Sequence, residues 1–165
     1  MADKKYILTK EVAEKKMRRM ALEIIENNPD EKKIILAGIR ESGTVVAKCI
    51  QQMLGEMSSV KTELISISLD KRKPTEVKLS KEMDLNDKTV IVIDDVANSG
   101  KTLLYALKPF LSFQPKKIQV LVLVERSHNE FPVRPDYVGI IITTTLKEHI
   151  TVETDENRVL GAWLH

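Results

Sequence analysis

Three short, nearly uninterrupted apolar runs rich in β-branched residues constrain this chain most: Ile34-Ile35-Leu36-Ala37-Gly38-Ile39, Thr89-Val90-Ile91-Val92-Ile93 and Ile118-Gln119-Val120-Leu121-Val122-Leu123-Val124. A strand with one face in water alternates apolar and polar residues, so runs like these belong to strands covered on both faces. Between them lie segments of helical period. From Thr9, an expected N-cap, to Asn28 the apolar residues Val12, Met17, Met20, Ala21, Ile24 and Ile25 recur at helical spacing, and Asn27-Asn28-Pro29 ends the pattern. Further helices are predicted over Thr44 to Met53 and Gly100 to Leu111. Val60 to Leu69 alternates, with Leu64, Ile65, Ile67 and Leu69 as its apolar positions. Strands alternating with helices predict an α/β fold, a mainly parallel twisted sheet flanked by helices, whose right-handed crossovers place ligands beyond the carboxyl ends of the strands. The loops after Ile39, Leu69, Ile93 and Val124 are therefore where function is expected.

With 165 residues, 42% of them hydrophobic, the chain can build one sizeable core, and no linker, repeat or low-complexity tract divides it. A single domain over residues 1–165 is expected. The 26 basic and 24 acidic side chains leave a formal charge of +2, which gives no strong electrostatic footprint for a polyanion. No stretch approaches the roughly eighteen apolar residues that span a bilayer, and the first residues lack an apolar leader core, so a cytoplasmic protein without membrane contact is expected. The single cysteine, Cys49, excludes an intrachain disulfide and a multi-thiolate metal site. Its apolar neighbours Val45, Val46, Ala47 and Ile50 suit a small buried structural thiol rather than a nucleophile. Asp70-Lys71-Arg72-Lys73-Pro74-Thr75-Glu76, charged and broken by proline, reads as a mobile surface loop.

The segment richest in chemistry runs from Val90 through Ile93 into Asp94-Asp95-Val96-Ala97-Asn98-Ser99-Gly100-Lys101-Thr102. A turn of small residues at a helix start aims free backbone N–H groups and the positive dipole end at one place, which suits a phosphate monoester. Ser99 and Thr102 add hydroxyl donors. Adjacent carboxylates at a strand end repel phosphate but accept hydrogen bonds from sugar hydroxyls. The implied ligand is a phosphorylated sugar. Ser99-Gly100-Lys101-Thr102 resembles the end of a Walker A loop, but that motif needs glycine where this chain has Asp95, and no GxGxxG dinucleotide pattern occurs. The blander alternative makes Asp94 and Asp95 only a polar strand end and helix cap.

The apolar strand, two acids and small-residue turn resemble the phosphoribosyl pyrophosphate signature of type I phosphoribosyltransferases. The likeness extends to the uracil phosphoribosyltransferase and pyrimidine-operon attenuator family, in Arg18-Arg19, Gly38-Ile39-Arg40 and the stretch from Leu121 through Glu125-Arg126-Ser127-His128 to Gly139. The resemblance implies that the ribose hydroxyls meet Asp94 and Asp95, the catalytic pair, and that the 5′-phosphate meets Ala97, Asn98, Ser99, Gly100, Lys101 and Thr102. It makes Arg40, Glu41, Ser42 and Gly43 the pyrophosphate loop; attenuator members usually carry an arginine where this chain has Ser42, and the acidic Glu41 before it weakens the anion site further. It places a mobile lid over about residues 69–85, with Lys71 and Arg72 able to grip phosphates, and a base-covering hood over about 125–139, including Glu125, Arg126, Ser127 and His128. For these lid cations a solvated charge run is an equal reading, and for His128 an ordinary surface residue is another.

By the same resemblance, a base nitrogen displaces pyrophosphate from the ribose of phosphoribosyl pyrophosphate, with uracil the favoured base. Mg²⁺ is the implied cofactor, held by pyrophosphate, ribose and water oxygens, with the protein touching it through Asp94 and Asp95 or not at all. Hypoxanthine, guanine or xanthine as the base is the rival enzyme reading. A nucleotide-sensing, RNA-binding attenuator with little catalysis is the rival from another class, its basic face built from Arg18, Arg19, His128 and Arg134. RNA is disfavoured because Leu22, Asn27, Asn129 and Ile140 stand where attenuator members tend to carry basic or histidine residues, and phosphate contacts supply most of such affinity. A homodimer is expected from the family alone.

Overall fold

The computed structural model describes residues 5–70 and 72–165. Its elements are β1 (Lys5–Thr9), α1 (Lys10–Asn27), β2 (Lys33–Ile39), α2 (Arg40–Met57), β3 (Lys61–Leu69), β4 (Val77–Leu79), β5 (Thr89–Ala97), α3 (Lys101–Ala106), a 3₁₀ turn (Lys108–Ser112), β6 (Lys117–Arg126), β7 (Tyr137–Ile142), β8 (Ile150–Thr154) and β9 (Val159–Leu164). Six strands form the main sheet in the order β4-β3-β2-β5-β6-β7, parallel except for the antiparallel edge strand β4. The expected α/β fold with a mainly parallel sheet is the fold observed.

Burial on both faces explains the unbroken apolar runs. One face, through Leu36, Ile91, Ile93, Leu121 and Leu123, packs under α1 and α2, which contribute Met17, Met20, Ile24, Val46, Ile50 and Leu54. The other, through Ile35, Ala37, Val90, Val92, Val120 and Val122, packs against Leu103 and Phe110 of α3 and the 3₁₀ turn. Helix α1 opens as expected on Thr9, whose hydroxyl accepts from the Val12 N–H at 3.2 Å. Val12 itself is exposed, and Ala13 takes the buried position on that turn.

Two local expectations are corrected. The second helix begins at Arg40 and runs to Met57, so Arg40–Gly43 is its first turn rather than a loop before it. The third helix stops at Ala106, since Pro109 lacks the N–H that an α-helix would need there, and a 3₁₀ turn continues the chain. Within residues 69–85, Leu69 is still β3, Val77–Leu79 pairs with β3, and Leu85 is fully buried. A second sheet, β1-β9-β8, joins the two ends of the chain and was not anticipated. The segment 125–139 begins on β6 and ends on β7 of the main sheet. No helix among the described residues is long and apolar enough to cross a membrane.

Candidate active site

Strand order places the switch in chain direction between β2 and β5, because β3 is added on one side of β2 while β5, β6 and β7 extend the other. In open α/β sheets such a point leaves a crevice beyond the carboxyl ends of the strands. A cleft of about 550 Å³ lies there, lined by Ile39, Arg40, Glu41, Ser42, Gly43, Ser66, Ser68, Asp94 and Asp95. A small hollow of about 50 Å³ adjoins it at Asp94, lined further by Val96, Ala97, Asn98, Ser99, Gly100, Lys101, Thr102 and Leu103. The structure thus brings the expected ribose, phosphate and pyrophosphate segments to one end of the sheet.

The acid pair sits on β5 itself, which runs on to Ala97. Asp94 is 3% exposed and Asp95 half-buried. The two carboxylates are held by the backbone that follows them: the Asp95 N–H donates to Asp94 Oδ1 at 2.9 Å, and the Val96 N–H to Asp95 Oδ1 at 2.8 Å. Gly100 caps α3 with φ 90°, a left-handed conformation that glycine adopts without strain, and a Cβ there would stand 2.7 Å from Asn129 Oδ1. Behind this turn the Glu130 and Phe131 N–H groups both donate to Ser99 O, at 2.8 and 3.0 Å, so the β6–β7 loop backs the phosphate turn.

Opposite the acids, Arg40 adopts φ 54°, unusual for a residue with a side chain, and its Nε is buried without a hydrogen-bond partner among the described residues. Gly43 lies against β5: a Cβ there would stand 2.8 Å from Ile93 O and 3.1 Å from Asp94 Oδ1. Ser66 and Ser68 of β3 line the same cleft and were not anticipated, although the alternation of Val60 to Leu69 had left both serines on the polar positions.

On the β6 side, Arg126 donates from Nε to Thr144 Oγ1 at 2.8 Å, from Nη2 to Thr145 O at 3.0 Å and from Nη1 to Asn98 Oδ1 at 3.3 Å. His128 Nε2 lies 2.7 Å from Thr144 O, and Ser127 Oγ donates to Thr143 Oγ1 at 3.3 Å. Glu125, half-buried, is the last residue but one of β6. The loop after β7 is thereby part of this end of the molecule, a role sequence reading did not assign. Arg72 is exposed in the segment 70–76, its N–H donating to Asp70 Oδ1 at 2.9 Å, and Lys71 lies outside the described residues. Of the residues proposed for an RNA face, Arg18 pairs with Glu56 at 3.7 Å and Arg19 donates to Val138 O at 3.0 Å and Gly139 O at 2.8 Å, besides pairing with Glu23.

Comparison with known proteins agrees with this geometry. Residues 4–157 match the model of the phosphoribosyl transferase domain. The Bifunctional protein PyrR of Streptococcus pneumoniae strain CGSP14 is 36% identical over 166 aligned positions, covering 92% of this chain and 96% of that protein. Among solved structures, a hypoxanthine-guanine phosphoribosyltransferase from Bacillus anthracis superposes with a TM-score of 0.71 at 23% identity, covering 86% of this chain and 84% of its own. The hypoxanthine phosphoribosyltransferase of Trypanosoma cruzi gives 0.74 at 16% identity, covering 84% and 82%. Likeness at such identities speaks for the fold, whereas the family match and the PyrR relative extend over nearly the whole chain: the chain belongs to the phosphoribosyltransferase family and is a pentosyl-transferring enzyme.

Proposed function

We propose that the cleft between β2 and β5 binds phosphoribosyl pyrophosphate and transfers its ribose 5-phosphate to a nucleobase, uracil in the favoured reading, with release of pyrophosphate. One observation carries this: the acid pair at the end of β5 faces the first turn of α2 across the cleft, while the small-residue turn of the same strand opens on its other side. A ribose on Asp94 and Asp95 then has its pyrophosphate toward Arg40, Glu41, Ser42 and Gly43, and its 5′-phosphate toward the backbone N–H groups and hydroxyls of Ala97 through Thr102.

A base nitrogen attacks the anomeric carbon, the carbon–oxygen bond to pyrophosphate breaks with its electron pair leaving on that oxygen, and the nitrogen sheds its proton to solvent. Positive charge builds on the sugar in the transition state. The carboxylates of Asp94 and Asp95 stabilise it and hold the ribose hydroxyls, so catalysis is positioning and electrostatics rather than a protein nucleophile. Arg40 offsets the charge of the leaving group. Arg72, with Lys71, closes over the phosphates, while Glu125, Arg126, Ser127 and His128 shape the base side. The oxygen-only donor set of Asp94, Asp95, Ser66 and Ser68 fits Mg²⁺, and no group of three metal-binding side chains occurs among the described residues, so substrate and water oxygens would complete its shell. Bound there, Mg²⁺ would neutralise pyrophosphate charge. The same reading keeps the enzyme in the cytoplasm, as a homodimer.

The PyrR relative supports uracil over a purine, because the purine enzymes share only the fold. RNA binding is disfavoured further by the partners already held by Arg18, Arg19 and His128. Isothermal titration with phosphoribosyl pyrophosphate and Mg²⁺, followed by product assays with uracil, hypoxanthine, guanine and xanthine, tests the reading. Binding with turnover of uracil is expected, and Asp95→Asn is expected to lose about 100-fold to 1,000-fold in rate with its melting temperature kept. Absence of binding at millimolar ligand would sink it.

A further inference from the structure

Thr44 stands one turn into α2, with its side chain turned back toward the sheet. Its Oγ1 contacts the carbonyl of Arg40, lies 3.2 Å from Gly38 O, and lies 3.3 Å from Ser66 Oγ. A threonine hydroxyl has one proton, so it donates toward the two carbonyls while the Ser66 hydroxyl donates to it. Ser66 in turn exchanges hydrogen bonds with Ser80, its N–H donating to Ser80 Oγ at 2.8 Å and the Ser80 N–H donating to Ser66 O at 2.9 Å. Ser80 follows directly on β4, at the end of the β3–β4 ladder away from the segment 70–76. A continuous polar chain thus runs from Arg40 through Thr44 and Ser66 to the end of β4.

Two features set this apart from an ordinary helical threonine. A hydroxyl bonded to the carbonyl four residues back does not strengthen a helix and tends slightly to weaken it, so stability does not explain the residue. The carbonyl it meets belongs to Arg40, whose left-handed conformation costs on the order of 1–3 kcal/mol and persists only where the surroundings impose it. Thr44 grips that residue from the sheet side, between the end of β2 and β3.

We propose that Thr44 is a positioning residue for pyrophosphate: its hydroxyl holds the first turn of α2 in the conformation that presents Arg40 to the cleft, and Ser66 and Ser80 tie that turn to β3 and the end of β4. The inference rests on the cleft being the phosphoribosyl pyrophosphate site. Thr44→Val keeps the shape and removes the hydroxyl, Thr44→Ser keeps the hydroxyl, and Ser66→Ala cuts the chain from the β3 side.

Each variant is titrated with inorganic pyrophosphate and with phosphoribosyl pyrophosphate in the presence of Mg²⁺, assayed for KM and kcat, and melted. Thr44→Val is expected to weaken pyrophosphate binding and raise KM by about three- to thirtyfold, with kcat moved less and the melting temperature unchanged or higher. Thr44→Ser is expected within about twofold of wild type, and Ser66→Ala to shift the same constants in the same direction. Wild-type pyrophosphate binding in Thr44→Val, a loss confined to melting temperature, or failure of Thr44→Ser to rescue overturns the proposal. Should Thr44→Val not fold, unchanged binding in Ser66→Ala overturns it equally. Wild-type protein that binds neither ligand sinks the functional reading beneath it, whereas wild-type binding with indifferent variants sinks this inference alone.

Discussion

Gly43 shows how narrowly the cleft is built, since a single added methyl would press on the backbone carbonyl of Ile93 and on Asp94. The nearest obstacle is backbone and the Asp94 Oδ1 beside it is held by the Asp95 N–H, so Gly43→Ala must push the first turn of α2 away from β5. Overpacking of this kind costs about 1–3 kcal/mol. The expected result is a folded protein with a lowered melting temperature that has lost most of its affinity for phosphoribosyl pyrophosphate, measured by calorimetry beside wild type. Cys49 is half-buried rather than buried as expected, yet that partial burial still pushes its thiol above the ordinary range, and its Sγ lies 3.6 Å from Asn157 O, a setting that disfavours the reactive thiolate. The residues of the site were legible where chemistry is written into residue type, as in Asp94, Asp95 and Gly100. Thr44, Ser66 and Ser68 were not, because small hydroxyl residues mean nothing until the sheet has placed them.

At the scale of elements, β3 and its neighbours are tied by Glu63, which binds Lys33 of β2 at 3.0 Å and also pairs with Lys81 beyond β4. Hydrogen bonds from Lys81 and then Lys33 hold its carboxyl below the usual range. A group with a lowered folded pKa adds stability above its unfolded value and loses it as pH falls through the folded one. Glu63→Gln is therefore expected to melt below wild type at neutral pH, with the gap closing as the pH drops through and below the ordinary carboxylate range. A gap that stays constant on acidification would assign the effect to packing instead. The buried parallel strands were readable from their apolar runs alone. The three-residue β4 was hidden in a charged stretch, and β1, β8 and β9 pair between the chain's two ends, a contact no local period announces. Helix α2 was read too short because Arg40-Glu41-Ser42-Gly43 carries no apolar period, although these residues form its first turn, entered through the left-handed Arg40.

Considered whole, the molecule is a sheet with unequal covers. Helices α1 and α2, of 18 residues each, blanket one face, while the other has the six-residue α3 and a 3₁₀ turn, with the fully buried Phe110 filling much of the space beneath. Phe110→Ala is expected to cost about 3–5 kcal/mol, near the upper end because so little helix is at hand to collapse into the void. Calorimetry should record one transition at lower temperature, since β2, β5 and β6 contribute to both cores. The pairing of β1 with β9 carries a different consequence, for the timing of synthesis. Strand β1 is made before every other described strand, yet among the described residues its strand partner is β9, which follows all the others. The β8–β9 turn, which receives Lys48 Nζ on Glu156 O at 3.2 Å, also arrives late. A nascent chain can thus assemble every strand of the main sheet while α2, and the mouth of the cleft with it, still awaits its final clamp.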